Sequence, residues 1–353
     1  MEKKITYHEQ NDIDNTLKLR EVLKTLPPFC RDYFRAIDAT TTTKTRISYA
    51  YDIRIFFQFL LDENPAFSGK TMKDFTVDVL DQIKAIDLEE YEEYLKVYKS
   101  SDSDKTETNG ERGLKRKISA LRSFYAYYYK HEMITTNPSV LIDVPKIHDK
   151  NIIRLDTDEV ALLLDYIEHC GDTLTGQKRV YYEKTKDRDL AIVTLLLGTG
   201  IRVSECVGLD IEDVDFKNNG IKVTRKGGNE MVVYFGPEVE KALKKYLEVR
   251  EGITPLVGHE HALFYSTQRR RIGVQAIENL VKKYARQITT TKKITPHKLR
   301  STYGTALYQE TGDIYLVADV LGHRDVNTTK KHYAALDDAR RRQAASAVKL
   351  RED

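Results

Sequence analysis

Cysteine is scarce: Cys30, Cys170 and Cys206 are the only three in 353 residues. They are too few and too scattered for a disulfide framework or a zinc cluster. No apolar run approaches the ~20 residues that span a bilayer, and mean hydropathy is −0.52. The opening residues, MEKKITYHEQND, carry no apolar signal segment. A soluble, cytoplasmic chain without a membrane anchor is expected. Proline and glycine are sparse, at 8 and 18, which favours helices over sheet. An excess of either charge is lacking too, with 57 Lys+Arg against 54 Asp+Glu and a net charge of +3. That balance leaves the partner open, because a bound polyanion sees one face of a protein and not its average.

Core material is ample. Hydrophobic residues make up 41% and charged residues 31%, and the length suits about two domains of roughly 100–200 residues. A polar, helix-capable stretch ends at Pro27-Pro28. From 29 to 137 the pattern is helical: Tyr49, Ile53, Phe56, Phe57 and Leu60 recur at helix spacing, as do Leu114, Ile118, Leu121, Tyr125 and Tyr128. Residues 79–98 predict one further helix, and SSDSDKTETNGERG after it reads as a loop. Pro138 and Pro145 mark an interdomain connector. Asp156 to Glu159 then caps a helix through Ile167, and an apolar helix over 189–197 ends at Gly198-Thr199-Gly200. GIKVTRKGGNEMVVYF, at 220–235, is a hairpin signal around Gly227-Gly228. Helical patterning returns after Phe264. The expectation is a mainly α protein with a small antiparallel β-sheet (α+β). Its predicted parts are an N-terminal extension at 1–28, a helical domain at 29–145 and a linker at 146–155. A larger domain at 156–338 and a tail helix at 339–353 complete the chain.

Two basic groups stand out in the first domain. Thr41, Thr42, Thr43 and Lys44 precede a helix that contains Arg46. Hydroxyls and backbone N–H groups at a helix start form a ready phosphate seat. Lys115, Arg116, Lys117 and Arg122 stand off the apolar stripe of the helix that begins near 112. Both groups are candidate contacts to a nucleic-acid backbone; ordinary solvated helix faces are the competing reading.

Four segments of the second domain carry candidate chemistry. In GTGIRVSE a glycine-bracketed turn opens a helix, with Arg202 at its positive end and Glu205 one turn on. Arg202 suits bidentate grip on an anionic oxygen, and Glu205 suits holding it in place. No third glycine follows, so this is not a dinucleotide fingerprint. Lys226, at the hairpin turn, can reach a ligand and give a proton to a leaving oxygen. In TPHKLR, proline at a helix start sets His297 and Arg300 on one face, one turn apart. No ligand-spaced His or carboxylate accompanies them, so a metal is not expected. LGHRDVNTTKKHY adds His323 at a turn and Tyr333 on the next helix.

The ordered series Arg202, Lys226, His297-x-x-Arg300, His323 and Tyr333 resembles the tyrosine recombinase (phage integrase-like) family. LGHRDVNTTKKHYA resembles the block around that family's nucleophile, and GTGIRVSECVGL the block around its first arginine. The likeness covers about 160–340, and the helical first domain resembles the family's SAM-like core-binding domain more loosely. RKGGNE departs from the family's usual GKG form, which leaves Arg225 as a minor competitor of Lys226.

The resemblance implies a site-specific recombinase whose two domains form a C-shaped clamp on double-stranded DNA. Tyr333 is then the nucleophile, and Arg202, Arg300 and His323 stabilise the phosphoryl transition state. His297 is the candidate base, Lys226 the acid for the departing oxygen, and Glu205 a support. No cofactor, metal or ATP is implied. The partners implied are a recombination site and a homo-tetramer on two duplexes, or a hetero-tetramer with a second recombinase, with a regulatory protein as a further partner. The tail with Arg340, Arg341 and Arg342 would dock on a neighbouring protomer. An Xer-like role in resolving chromosome dimers is the first expectation. A mobile-element integrase or transposase, a type IB topoisomerase and a DNA-binding protein that does not cleave are the alternatives.

Overall fold

A computed structural model of the chain describes residues 6–99, 105–147, 152–225, 228–323, 325–327 and 329. Two compact units, Met1–Lys150 and Asn151–Asp353, divide the chain. Among the described residues no helix is long and apolar enough to cross a membrane.

The first unit is built from α1 (Tyr7–Leu23), α2 (Cys30–Ala36), α3 (Thr43–Glu63), α4 (Val79–Gln82), α5 (Ala85–Lys96) and α6 (Glu111–Lys130). A reciprocal cap starts α1: Thr6 Oγ1 accepts from Glu9 N at 3.2 Å, and Thr6 N donates to Glu9 Oε2 at 2.8 Å. Leu19, Val22 and Leu26 are buried in the same core as α3 and α6. The stretch 1–28, set apart in the sequence reading, therefore supplies part of this unit's interior. That core is aromatic. Tyr33 meets Phe124 edge-on at 5.2 Å between centroids, and Phe56 meets Tyr91 at 5.2 Å. Such contacts add about 0.5–1.5 kcal/mol each beyond burial.

The single helix expected over 79–98 is interrupted. Lys84 is extended, and its N–H donates to Asp87 Oδ2 at 2.8 Å, so α5 starts afresh. Tyr98 lies on β1 (Val97–Lys99), which pairs antiparallel with β2 (Thr106–Thr108) inside the expected loop. Asn109 ties the hairpin base, its side-chain amide donating to Leu95 O at 2.7 Å. That tie depends on a residue 14 positions away, beyond what local propensity reports.

The second unit is organised around α8 (Gly176–Thr199), which packs against α7 (Thr157–His169), α10 (Pro237–Glu251) and α12 (Pro296–Thr311). Ile192, Leu195 and Leu196 of α8 are fully buried. Between α8 and α10 come the short α9 (Val203–Gly208) and a sheet of β3 (Val214–Asp215), β4 (Gly220–Thr224) and β5 (Glu230–Tyr234), ordered β3-β4-β5 and antiparallel throughout. Ile221 and Val223 point inward and Lys222 outward, the alternation that the hairpin signal predicts. Helices α11 (Val274–Ile288) and α13 (Ile314–Leu321) also belong to this unit. Buried Asp189 of α8 accepts from Arg188 Nη2 at 2.6 Å and from Tyr284 Oη of α11 at 3.0 Å, a polar tie that fixes α11 to α8.

Candidate active site

Two left-handed glycine caps frame the site. Gly200 ends α8 at φ 63° and Gly322 ends α13 at φ 60°. Both need glycine for conformation and for space: a Cβ on Gly200 would strike the Tyr303 ring, and one on Gly322 would overlap the Arg225 guanidinium.

Arg300 joins the caps. It lies on α12 one turn after Pro296, only 5% exposed. Its Nη1 donates to Gly200 O at 2.5 Å and its Nη2 to Leu321 O. Arg202 precedes α9, and Glu205 clasps it twice: Oε1 accepts from Nη1 at 2.6 Å and Oε2 from the Arg202 N–H at 2.7 Å. Glu205 is 3% exposed while the Arg202 side chain is 36% exposed, so a buried carboxylate presents a solvent-reaching cation. Arg202 Nη2 also lies 3.3 Å from Gly322 O. His323 follows Gly322. Its Nδ1 pairs with Thr329 Oγ1 at 2.7 Å, and that fully buried threonine orients the ring. His297 is exposed on the first turn of α12, where its carbonyl accepts from Ser301 Oγ at 3.1 Å.

Arg202, Glu205, Arg300 and the His323 turn are therefore assembled around the α8 and α13 caps, although about 120 residues of sequence separate Arg202 from Gly322. Lys226 and Tyr333 lie outside the described residues, as does the expected tail helix over 339–353. Two partners of the site escape motif reading. Thr329 sits in the quoted LGHRDVNTTKKHYA block but looks like any loop threonine, and Tyr303 shows its place only through its contact with Gly200. Among the described residues no group of three or more His, Cys, Asp or Glu side chains could hold a metal ion.

The cations proposed for the first unit divide sharply. Lys44 and Lys115 are exposed, and Thr42 caps α3 by accepting from Thr45 N at 3.3 Å. Thr41 Oγ1 donates to Ile37 O at 2.6 Å, and Thr43 Oγ1 accepts from Arg46 Nη2 at 3.4 Å. Arg46 also pairs with Asp38 at 2.5 Å. Arg116 is half-exposed and bound to Asp52.

Lys117 and Arg122 correct the sequence reading. Lys117 is buried, 3.7 Å from Asp52 Oδ1. Arg122 donates to Ser139 O at 3.0 Å and to Ile142 O, so it holds the chain after α6. Lys117 is therefore not a surface cation, and Arg122 is half-buried with two of its donors committed. Burial pushes the Asp52 carboxyl up to about 6 against the pull of Arg116 and Lys117. Because Asp52 is the shared partner of both cations, Asp52→Ala is expected to destabilise the protein by about 3–5 kcal/mol. Denaturant unfolding checks this, and a loss below about 1 kcal/mol would mean that the cluster is solvated.

With this geometry in hand, the Phage integrase family matches residues 154–340, more than half of the chain, and the chain belongs to that family. It is a tyrosine-type, Xer-like site-specific recombinase, an enzyme that cleaves and rejoins DNA. It is 32% identical over 352 residues to tyrosine recombinase XerC of Caldanaerobacter subterraneus subsp. tengcongensis, covering 96% of this chain and 91% of that protein. It is 31% identical over 339 residues to tyrosine recombinase XerS of Lactococcus lactis subsp. cremoris, covering 90% and 93%. Among solved structures, the fold is similar to XerH site-specific recombinase bound to difH substrate before cleavage (TM-score 0.61, 21% identity, 86% of this chain and 79% of that one). It is also similar to the Tn1549 transposon integrase with circular-intermediate DNA (TM-score 0.63, 20% identity, 90% and 98%).

Proposed function

We propose that Tyr333 attacks the scissile phosphorus of a recombination site in duplex DNA. Its oxygen forms the new P–O bond, the bond to the 5′-oxygen breaks, and a 3′-phosphotyrosyl link and a 5′-hydroxyl result. The link keeps the ester's energy, so a second 5′-hydroxyl can religate without ATP. Arg202 and Arg300 bind the non-bridging oxygens, where negative charge gathers in the transition state, and His323 donates alongside them. A phenol has an ordinary pKa near ~10, so His297 and the local cations assist its deprotonation. Lys226 protonates the departing oxygen, and Glu205 steadies Arg202. What supports this reading is the convergence of Arg202, Arg300 and the His323 turn on the two glycine caps.

In this reading four protomers act on two duplexes and pass through a Holliday junction, as a homo-tetramer or with a second recombinase and a regulatory protein. The tail over 339–353 couples neighbouring protomers. The kinship to XerC and XerS supports chromosome dimer resolution in the cytoplasm; integration of a mobile element by the same chemistry is the second reading. In the first unit Lys44, Lys115 and the Thr42 cap track the DNA backbone, with Arg116 beside them.

A suicide substrate, nicked beside the scissile bond so that religation is lost, tests the chemistry. An SDS-resistant protein–DNA adduct is expected in EDTA. Absence of an adduct on a substrate that the protein binds would overturn the reading.

A further inference from the structure

Three successive carbonyls at the end of α13 each receive a different guanidinium. Val320 O accepts from Arg225 Nη2 at 2.7 Å, Leu321 O from Arg300 Nη2, and Gly322 O from Arg202 Nη2 at 3.3 Å. Arg202 and Arg300 already have work in the proposed chemistry; Arg225 has none.

Its setting is unusual for an arginine. The backbone is fixed where β4 ends, with the Arg225 N–H donating to Asn229 O at 2.7 Å. The guanidinium lies against Gly322, in space that a side chain there would take. Nε and Nη1 are both buried, and neither has a hydrogen-bond partner among the described residues. Each idle buried donor costs about 1–3 kcal/mol, so the contact with Val320 is a poorly satisfied resting pose. The charges around it point the same way. Burial and the neighbouring Arg202 both weigh against the Arg225 cation. The carboxylates acting in its favour are Glu205, already clasping Arg202, and Asp319, which is exposed. Among the described residues, three guanidiniums share this site and Glu205 and Asp319 are the carboxylates acting on Arg225.

We propose that Arg225 is a third phosphate-gripping residue: it gives up the Val320 carbonyl and turns its guanidinium onto the non-bridging oxygens of the scissile phosphate. An anionic oxygen satisfies donors that the resting pose leaves idle, and it adds the attraction of opposite charges that a neutral carbonyl lacks. A guanidinium keeps its protons at any working pH. Arg225 therefore stabilises charge and does not serve as the acid for the leaving group, the alternative that the hairpin sequence leaves open. The inference rests on the reading that the site binds a phosphodiester.

The test compares two suicide substrates, one with the native scissile phosphodiester and one with a methylphosphonate there, whose single non-bridging oxygen leaves the group uncharged. Arg225→Gln is expected to slow adduct formation on the phosphodiester by about 10²-fold and on the methylphosphonate far less, because less charge then needs neutralising. Arg225→Lys, which keeps the cation but not the fork, is expected to show the same substrate dependence with a smaller loss. Gel-shift binding and thermal unfolding establish that each variant is folded. Should the glutamine variant fail to fold, the lysine variant decides. Equal fractional losses on the two substrates, or no loss on either, would overturn the role of Arg225 and leave the proposed chemistry standing. Failure of the wild-type protein to form any adduct would overturn both.

Discussion

Tyr333→Phe is expected to abolish the covalent adduct while leaving DNA binding and thermal stability at wild-type levels. The substitution deletes one oxygen and keeps the ring, so a packing role would survive it and a nucleophilic role would not. The chain has 22 tyrosines, and the large buried ones argue against themselves. Tyr33, Tyr91, Tyr125, Tyr128, Tyr182, Tyr246 and Tyr284 are buried core residues whose phenols burial pushes above their ordinary range, away from the phenolate that attacks phosphorus. Several hydroxyls are also committed, as Tyr33 to Ser123 at 2.9 Å and Tyr284 to Asp189 at 3.0 Å. Tyr303, against the Gly200 cap, is the sharper control. Burial raises its phenol too, and Tyr303→Phe should still form the adduct. An adduct that persisted in Tyr333→Phe and vanished in Tyr303→Phe would move the nucleophile to α12.

The second large effect belongs to Arg300. Arg300→Ala is expected to slow strand cleavage by about 10²–10³-fold, the usual cost of one preorganised donor to a developing oxyanion. The structure adds a separate consequence. Arg300 bonds Gly200 O and Leu321 O, both in the interior, and losing those partners costs about 1–3 kcal/mol per orphaned group. Arg202→Ala is expected to give a comparable loss of rate and its own loss of stability, because it strips the buried Glu205 carboxylate of its guanidinium partner. Single-turnover cleavage and denaturant unfolding, measured on both variants, separate the two effects. Near-normal cleavage by folded Arg300→Ala would remove it from the chemistry.

Much of this protein was legible in one dimension where the physics is local. Helix spacing around Phe56 and Leu121, the acidic cap before α7 and the Gly-Gly hairpin all depend on neighbours a few residues apart. The site motifs were readable for a related reason: each short block keeps its residue types at fixed offsets, and the order of the blocks was itself informative. Local patterning failed where a longer tie intervened, as at Asn109, which closes β1 onto β2 from 14 residues away, and it missed the short cap at Lys84, where α5 starts afresh.

Chain order, residue spacing and motif composition thus pointed to the helical class, the hairpin and a set of candidate cations. They did not say which cations are available. Lys117 and Lys115 look alike in sequence, yet one is buried beside Asp52, 65 positions earlier, and the other is exposed. Arg122 is spent on two carbonyls of the chain after α6, while Arg225, beside Gly322, has a buried Nε and Nη1 without partners among the described residues. Whether a charge is consumed or kept for a ligand depends on which acceptors packing brings within hydrogen-bond range. Those acceptors lie tens of residues away, where no local pattern reaches.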